Sequence, residues 1–161
     1  MKLAGVDPST DSYNIAVAHD GRLTTAVRVD LNLTVNQLSD CDLVTIERPG
    51  RNNKPEARLA LYKTQAAVLD LAELLAAKGV PLMLVAPDQA RMWVCGLRQN
   101  SQGSTDADIK AWLRAVHLPH EAKLDDAEIR KMLNAGGALS TADKRDAYIA
   151  LLYGKITRRL T

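Results

Sequence analysis

The amino-acid sequence predicts an α/β fold, a mixed five-stranded sheet flanked by helices. Three observations carry that expectation. Residues 2–29 hold three short apolar runs separated by turn signals, the pattern of an antiparallel meander. Between residues 43 and 87 a strand-like run, a long helical stretch and a second strand-like run follow one another, the order of a parallel crossover. From residue 88 onward the pattern is helical. At 161 residues, with 47% hydrophobic and 25% charged side chains, the chain has the size and composition of one domain, 1–161, that buries its own core without disulfide or metal support.

Taken in order, "KLAGVD" (2–7) reads as a strand that stops on an acid. Tyr13–Ala18 and Leu23–Val29 flank Asp20-Gly21, a dipeptide that suits a tight hairpin. "TVNQLSDC" is expected to hold a short helical turn, and "DLVTIERPG" a strand over Leu43–Glu47 stopped by Pro49-Gly50. Two strands therefore end on a carboxylate. A long helix is expected from Pro55 to Lys78. Of the 19 residues from Leu59 to Ala77 only Lys63, Thr64, Gln65, Asp70 and Glu73 are polar, more apolar surface than one sheet-facing stripe requires. Either a second subunit or the rest of the monomer would cover the surplus, and a homodimer through residues 55–78 is the expectation taken forward. "VPLMLVAP" reads as a strand of parallel-sheet character. A short helix around Asp88–Val94, a Gly-containing loop "GLRQNSQGST", a helix over Asp106–Val116 with Thr105 as N-cap, a helix over 124–134 closed by Gly136-Gly137 and a final helix from about Thr141 to Arg159 complete the chain.

No apolar stretch reaches 18 residues and the first residues turn acidic too early for a signal peptide, so a cytoplasmic protein with no membrane contact is expected. Cys41 and Cys95, far apart in sequence and outside any C-x-x-C pattern, read as reduced thiols. The net charge of +2 says little, but its distribution says more. Arg48, Arg51, Lys54, Arg58 and Lys63 crowd one segment, and Lys144, Arg145, Lys155, Arg158 and Arg159 the last. Such clusters fit either a polyanion or a solvated face. Trp93 and Trp112 fall in apolar helical patterns and are expected in the core, and His19, His117 and His120 show no spacing that suggests a ligand or a base.

Four acids stand where a core-building pattern would not place them. Asp7 and Glu47 end strands, and Asp143 and Asp146 lie three apart on the last helix, hence on one face. Ends of neighbouring parallel strands share one sheet edge, where α/β proteins place their sites. If the last helix meets that edge, the four carboxylates converge and suit hard divalent cations such as Mg²⁺ or Mn²⁺. Three of the acids also have a plainer reading: an Asx turn for Asp7, a surface ion pair with Arg48 for Glu47, and a helix-dipole partner behind a capping-box-like Ser140-Thr141 for Asp143. Asp146 precedes the apolar face Ala147, Ile149, Ala150 and Tyr153 and is harder to dismiss. The acid pairs Asp106/Asp108 and Asp125/Asp126 read as helix-start residues.

"GVDPS" on a first strand, "TIERP" on a later one and "DKRDAYIAL" on the last helix together resemble the Holliday-junction resolvases of the RuvC type, which have the ribonuclease H-like fold. "VAPDQARMWVCG" is similar to that family's proline-led strand exit. The resemblance spans nearly the whole chain. It implies a homodimeric, magnesium-dependent endonuclease that nicks four-way DNA junctions symmetrically, with Asp7, Glu47, Asp143 and Asp146 as catalytic residues holding two Mg²⁺ (or Mn²⁺) ions per active site. For DNA contact the expected residues are Arg48, Arg51, Asn52, Lys54 and Arg58 after the Glu47 strand, Arg98 in the Gly-containing loop, and Lys144 and Arg145 beside the acids, reading backbone shape rather than sequence.

The chain departs from the family pattern in several places. Ser9 follows Pro8 where the family usually has glycine, no phenylalanine occurs anywhere, and Asp106 stands where a lysine is usual. Junction opening is therefore expected to rest on basic and polar contacts in the Arg48–Lys54 loop. The segment from His117 to Ser140 is longer than in the family and the span before Glu47 shorter, as in phage or mobile-element versions. The competing readings are a ribonuclease H-like nuclease acting on flaps, forks or RNA–DNA hybrids, and a non-catalytic branched-DNA binding module. A sugar-kinase- or chaperone-like ATPase needs two copies of the fold and a longer chain.

Overall fold

The computed structural model describes residues 1–50, 54–96 and 106–160. Five strands, β1 (Lys2–Pro8), β2 (Tyr13–His19), β3 (Arg22–Val29), β4 (Leu43–Glu47) and β5 (Leu82–Val85), form one sheet in the order β3-β2-β1-β4-β5. β1 runs antiparallel to β2, β2 antiparallel to β3, and β1, β4 and β5 are mutually parallel neighbours. The sheet is thus mixed and five-stranded, as the sequence predicts. The hairpin between β2 and β3 turns on Asp20 and Gly21, both at positive φ (49° and 81°), which matches the twist of the flanking strands.

Alternation along the strands divides the core in two. Ala4, Val6, Val44 and Ile46 point to one face and pack with α1 (Leu31–Leu38) and α2 (Arg58–Ala77). Leu3, Leu43 and the residues in step with them point to the other face, against α7 (Ala142–Thr157). Between α2 and α7 in the chain come α3 (Pro87–Cys95), α4 (Asp106–Trp112), α5 (Leu118–Glu121) and α6 (Asp126–Leu133). α3 and α4 pack on α7, so that helix is covered by the sheet on one side and by helices on the other. That explains why every residue from Ala147 to Gly154 is buried and why its sequence is apolar nearly all round.

Two glycines set how closely α7 lies on the sheet. A Cβ on Gly5 would fall 1.8 Å from the Ala147 carbonyl oxygen and 2.5 Å from the Leu151 nitrogen, so only a bare backbone fits where β1 passes under α7. A Cβ on Gly154 would fall 2.0 Å from Thr45 Oγ1 of β4, the same condition read from the helix side.

Most element expectations are met, with shifts at the ends. The short helix before β4 starts earlier than expected, at Leu31, because the Asp30 side chain accepts from Leu33 N (2.9 Å) and caps it. The long helix begins at Arg58, after a single 3₁₀ turn over Pro55–Ala57. α6 starts on a reciprocal capping box between Asp125 and Glu128 (2.8 and 3.0 Å). The helix expected over Asp106–Val116 stays α-helical only to Trp112 and continues as a π-type turn over Leu113–His117. The Thr105 cap lies outside the described residues.

Two aromatic expectations need correction. Trp93 is 66% exposed, because α3 turns that face outward while Ala90 points inward. Trp112 is only half-buried, packed against the core edge and stacked on His117 with ring centroids 5.3 Å apart. His117, unremarked by its spacing, is buried with Nε2 2.7 Å from the Tyr148 hydroxyl of α7. Burial lowers its pKa to about 4, with Lys155 adding to that effect and Glu121 opposing it. An unfolded histidine titrates near ~6.5, so the folded state resists a proton the unfolded state takes up. Its contribution is full above ~6.5 and is lost as pH falls toward 4. Denaturant titrations at pH 7 and pH 4.5 are expected to show the native protein losing roughly 1–3 kcal/mol through this residue. His117→Gln should lose about 1 kcal/mol at pH 7 but show a flatter acid dependence. Equal slopes in the two proteins would remove His117 from the acid response.

Cys41 is buried and Cys95 half-buried, and burial pushes both thiols up, to about 11 and about 12, so neither is a ready nucleophile. Among the described residues no helix is long and apolar enough to cross a membrane.

Candidate active site

Strand register and face together place the first two acids. Val6 of β1 pairs with Ile46 of β4, so the next residues, Asp7 and Glu47, sit side by side at the same sheet edge. Val6 and Ile46 face the α2 layer, so Asp7 and Glu47 face α7. The strand continues one residue past Asp7, and the turn that follows is closed by Ser9 N donating to the Ser12 carbonyl (2.9 Å), not by the Asp7 side chain. Asp7 is thus free of the Asx-turn role that its position before Pro8 allowed. Glu47 is 9% exposed, which removes the surface ion-pair reading.

The second pair comes from the start of α7. The Thr141 hydroxyl caps the helix by accepting from Lys144 N (3.3 Å), the first turn then presents Asp143, and Asp146 follows at the start of the second. Because Gly5 lets this helix lie directly on β1, the two acids reach Asp7. Carboxylate oxygens of Asp7, Asp143 and Asp146 lie within 4.8 Å of one another. Glu47 does not meet that distance to all three, but it lines the same cleft, together with Arg48, Pro49, Gly50, Asp88 and Arg91.

Electrostatics report a cluster short of positive charge. Burial raises the Asp7 carboxyl to about 8, reinforced by Asp146 and Asp143 and opposed by Arg91. Burial likewise holds Glu47 well above the usual carboxylate range, reinforced by Asp7 and Asp146. Asp146 is raised by burial, although Arg91 pulls in the other direction. Close, oxygen-only donors of one sign, with Asp7 and Asp146 sheltered and Asp143 exposed at the mouth, are what a hard divalent cation resolves, and they offer nothing to a soft metal. The residues present fit such an ion.

Sequence reasoning missed Arg91. It lies one turn into α3, which starts with Pro87 at the same sheet edge after β5. Its Nη2 is 2.9 Å from each oxygen of Asp146, in a sheltered pair. The only signal was a basic residue four positions after the proline of the strand exit.

The expected DNA contacts divide into three groups. Arg48, Lys54 and Arg58 are exposed, with Arg48 on the cleft wall, and Lys144 is half-buried beside the acids. Arg51, Asn52 and Arg98 lie outside the described residues. Arg145 departs from the expectation. Its side chain is 4% exposed, donates to both carboxylate oxygens of Asp106 at the start of α4, and donates from Nη1 to the Leu139 carbonyl (2.9 Å). The position after Lys144 on α7 points away from the cleft into the helical layer, so Arg145 is a buried clamp between α7 and α4. The helix-start reading of Asp106 was correspondingly incomplete.

No family model matches the chain, and no curated protein matches it in sequence. Solved structures do match it in shape. A Thermus thermophilus RuvC structure aligns over 98% of this chain and 97% of its own with a TM-score of 0.59 and 17% identity. T. thermophilus RuvC in complex with Holliday junction substrate aligns over 99% and 97% with a TM-score of 0.59 and 15% identity. A Fowlpox virus resolvase in complex with substrate Holliday junction DNA aligns over 100% of both chains with a TM-score of 0.56 and 14% identity. The chain therefore has the ribonuclease H-like fold of these proteins along its whole length.

Proposed function

We propose that this protein is a metal-dependent endonuclease of the RuvC type that resolves four-way DNA junctions by paired, symmetric nicks. One observation carries the reading: the oxygens of Asp7, Asp143 and Asp146 within 4.8 Å of one another, at the sheet edge where neighbouring parallel strands end. A pure DNA-binding module gains nothing from mutually repelling acids gathered at one sheet edge. The neighbours solved with Holliday junction DNA favour a branched substrate.

Asp7, Glu47, Asp143 and Asp146 would hold two Mg²⁺ or Mn²⁺ ions. When bound, such ions supply activation of the attacking water and neutralisation of charge on the leaving oxygen of a phosphodiester. The protein's own contribution is placement. The paired strands fix Asp7 and Glu47 relative to each other, and α7 brings two further acids to them without a flexible loop between. Arg48, Lys54, Arg58 and Lys144 line the approach for the DNA backbone, with Arg51, Asn52 and Arg98 as further contacts in the same role. Basic residues around an acidic centre let phosphate approach charges that would otherwise repel it.

Two symmetric nicks need two active sites, and α2 supports a homodimer. Its inner face buries Ala67, Val68, Leu71 and Leu75 in the monomer, while Leu59, Tyr62 and Leu69 are 60–64% exposed. The surplus apolar surface seen in the sequence is thus left uncovered by the monomer, and a second copy is its proposed cover.

The test is a magnesium-dependent cleavage panel of four-way junction, flap, replication fork, linear duplex and RNA–DNA hybrid. Paired nicks at symmetric positions in the junction are expected. Cutting confined to the hybrid would transfer the protein to a different nuclease class of the same fold, and no cutting of any substrate would overturn the nuclease reading.

A further inference from the structure

We infer that the Arg91 guanidinium is the resident counter-cation of the acidic cleft and that a divalent ion must displace it from Asp146 in order to bind. The inference rests on the metal-binding reading proposed above. Its basis is geometric: a single nitrogen, Nη2, stands 2.9 Å from both Oδ1 and Oδ2 of Asp146, so it straddles the carboxylate. Asp146 is also one of the three acids whose oxygens lie within 4.8 Å of one another. The group offered to an ion and the group held by Arg91 are therefore the same.

The pair is shielded, with the two side chains 15% and 13% exposed, so salt screens it less than a surface pair. A guanidinium does not lose its proton in the accessible pH range, so the competing charge is always present. Arg91 also counts beyond its direct partner, since it opposes the repulsion felt at Asp7 and Glu47. It stabilises the ion-free arrangement of all these acids by the same charge that an incoming cation would duplicate.

Its position suits exchange. Asp7, Glu47, Asp143 and Asp146 are carried on β1, β4 and α7, whereas Arg91 stands on α3, across the cleft wall. The exchange therefore asks the Arg91 side chain to leave Asp146, and asks no such change of the strands and helix that carry the acids. The resulting cycle is an exchange of one cation for another. The guanidinium keeps the empty site from flying apart, and a divalent ion takes its place.

The experiment is Mn²⁺ titration of the full chain without DNA, by calorimetry and by manganese paramagnetic resonance, with the thermal midpoint of the chelator-treated protein as a second readout. Arg91→Gln is expected to lower the metal-free midpoint and to tighten Mn²⁺ binding by about ten-fold, because the competitor is gone. Arg91→Lys, which keeps a charge, is expected to stay near the wild-type affinity. Arg91→Met keeps the aliphatic stem and answers the same question if the glutamine variant does not fold. Mn²⁺ binding that is unchanged or weaker in Arg91→Gln would show that Arg91 stays on Asp146 alongside the ion, which overturns the exchange and leaves the metal site standing. Lysine behaving like glutamine would overturn it too, because charge would then not be what competes. Absence of Mn²⁺ binding in the wild type overturns the metal site itself, and the exchange with it.

Discussion

Asp7→Asn is expected to lower junction cleavage by about a thousand-fold or more while raising the thermal midpoint of the metal-free protein, the opposite of what a structural residue would do. The two halves come from one cause. Burial and the Asp143 and Asp146 charges raise the Asp7 carboxyl to about 8, whereas an unfolded aspartate titrates at 3.8. Between those values the folded state holds a proton that the unfolded state releases. Folding stability therefore falls as pH rises from about 4 to about 8, and the full penalty stands above that window. Asparagine removes the charge without removing the volume. At pH 8 in chelator the variant should gain a few kcal/mol, a rise of roughly 5–10 °C for a chain of 161 residues. The gain should shrink toward pH 4.5, where the native aspartate is already neutral. The amide has no charge to give a divalent cation, so added Mg²⁺ should stabilise the variant far less than the wild type. Differential scanning calorimetry at the two pH values, with and without Mg²⁺, checks the stability half, and a junction assay the other. A variant that cleaves at the wild-type rate removes Asp7 from the centre. A variant that melts lower at pH 8 makes the carboxylate a structural partner instead.

Gly5→Ala is expected to destabilise the protein by about 3 kcal/mol or more and to disable the site, although Gly5 carries no functional group. The added carbon would lie 1.8 Å from one backbone atom of α7 and 2.5 Å from another. Neither neighbour is the end of a flexible side chain, so relief requires the helix to retreat from β1 by more than an ångström. That helix carries Asp143 and Asp146, and its separation from β1 is what sets their distance to Asp7. A misplacement of about 1 Å in such a centre costs on the order of a hundred-fold in rate. Gly50 is the matched control, because a Cβ there meets nothing within 4 Å and its backbone lies outside the left-handed region. Gly50→Ala should leave the denaturant midpoint nearly unchanged. A Gly5→Ala midpoint equal to that of the control would show that α7 does not rest on β1 as closely as described.

Most of the architecture was legible because it is written locally. The short apolar runs "KLAGVD" and "LVTIE" that stop on an acid, the Asp20-Gly21 turn and the apolar density of residues 59–77 each specify an element from a few adjacent side chains. The surplus apolar face of α2 was legible in the same way. The acids were legible as anomalies, since a strand that ends on a buried carboxylate conflicts with the pattern around it. What misled was periodicity applied to α3. Trp93 shares that helix with buried Ala90 but points away from it, and nothing in nine residues says which face of so short a helix meets the core.

The strand ends, the spacing of Asp143 and Asp146 and the mixed α/β order followed from residue chemistry and short-range periodicity, because each rests on contacts between near neighbours in the chain. Partner choice did not. Arg145 looked like a cation for DNA and is a buried clamp on Asp106, 39 positions away, whereas Arg91 drew no notice and grips Asp146 across 55 positions. His117 likewise acquires its role only from Tyr148 on the opposite element. A charge on a helix has several faces to choose from, and the packing of β1 against α7 through a bare glycine decides which charges meet in the cleft and which are sealed beneath it.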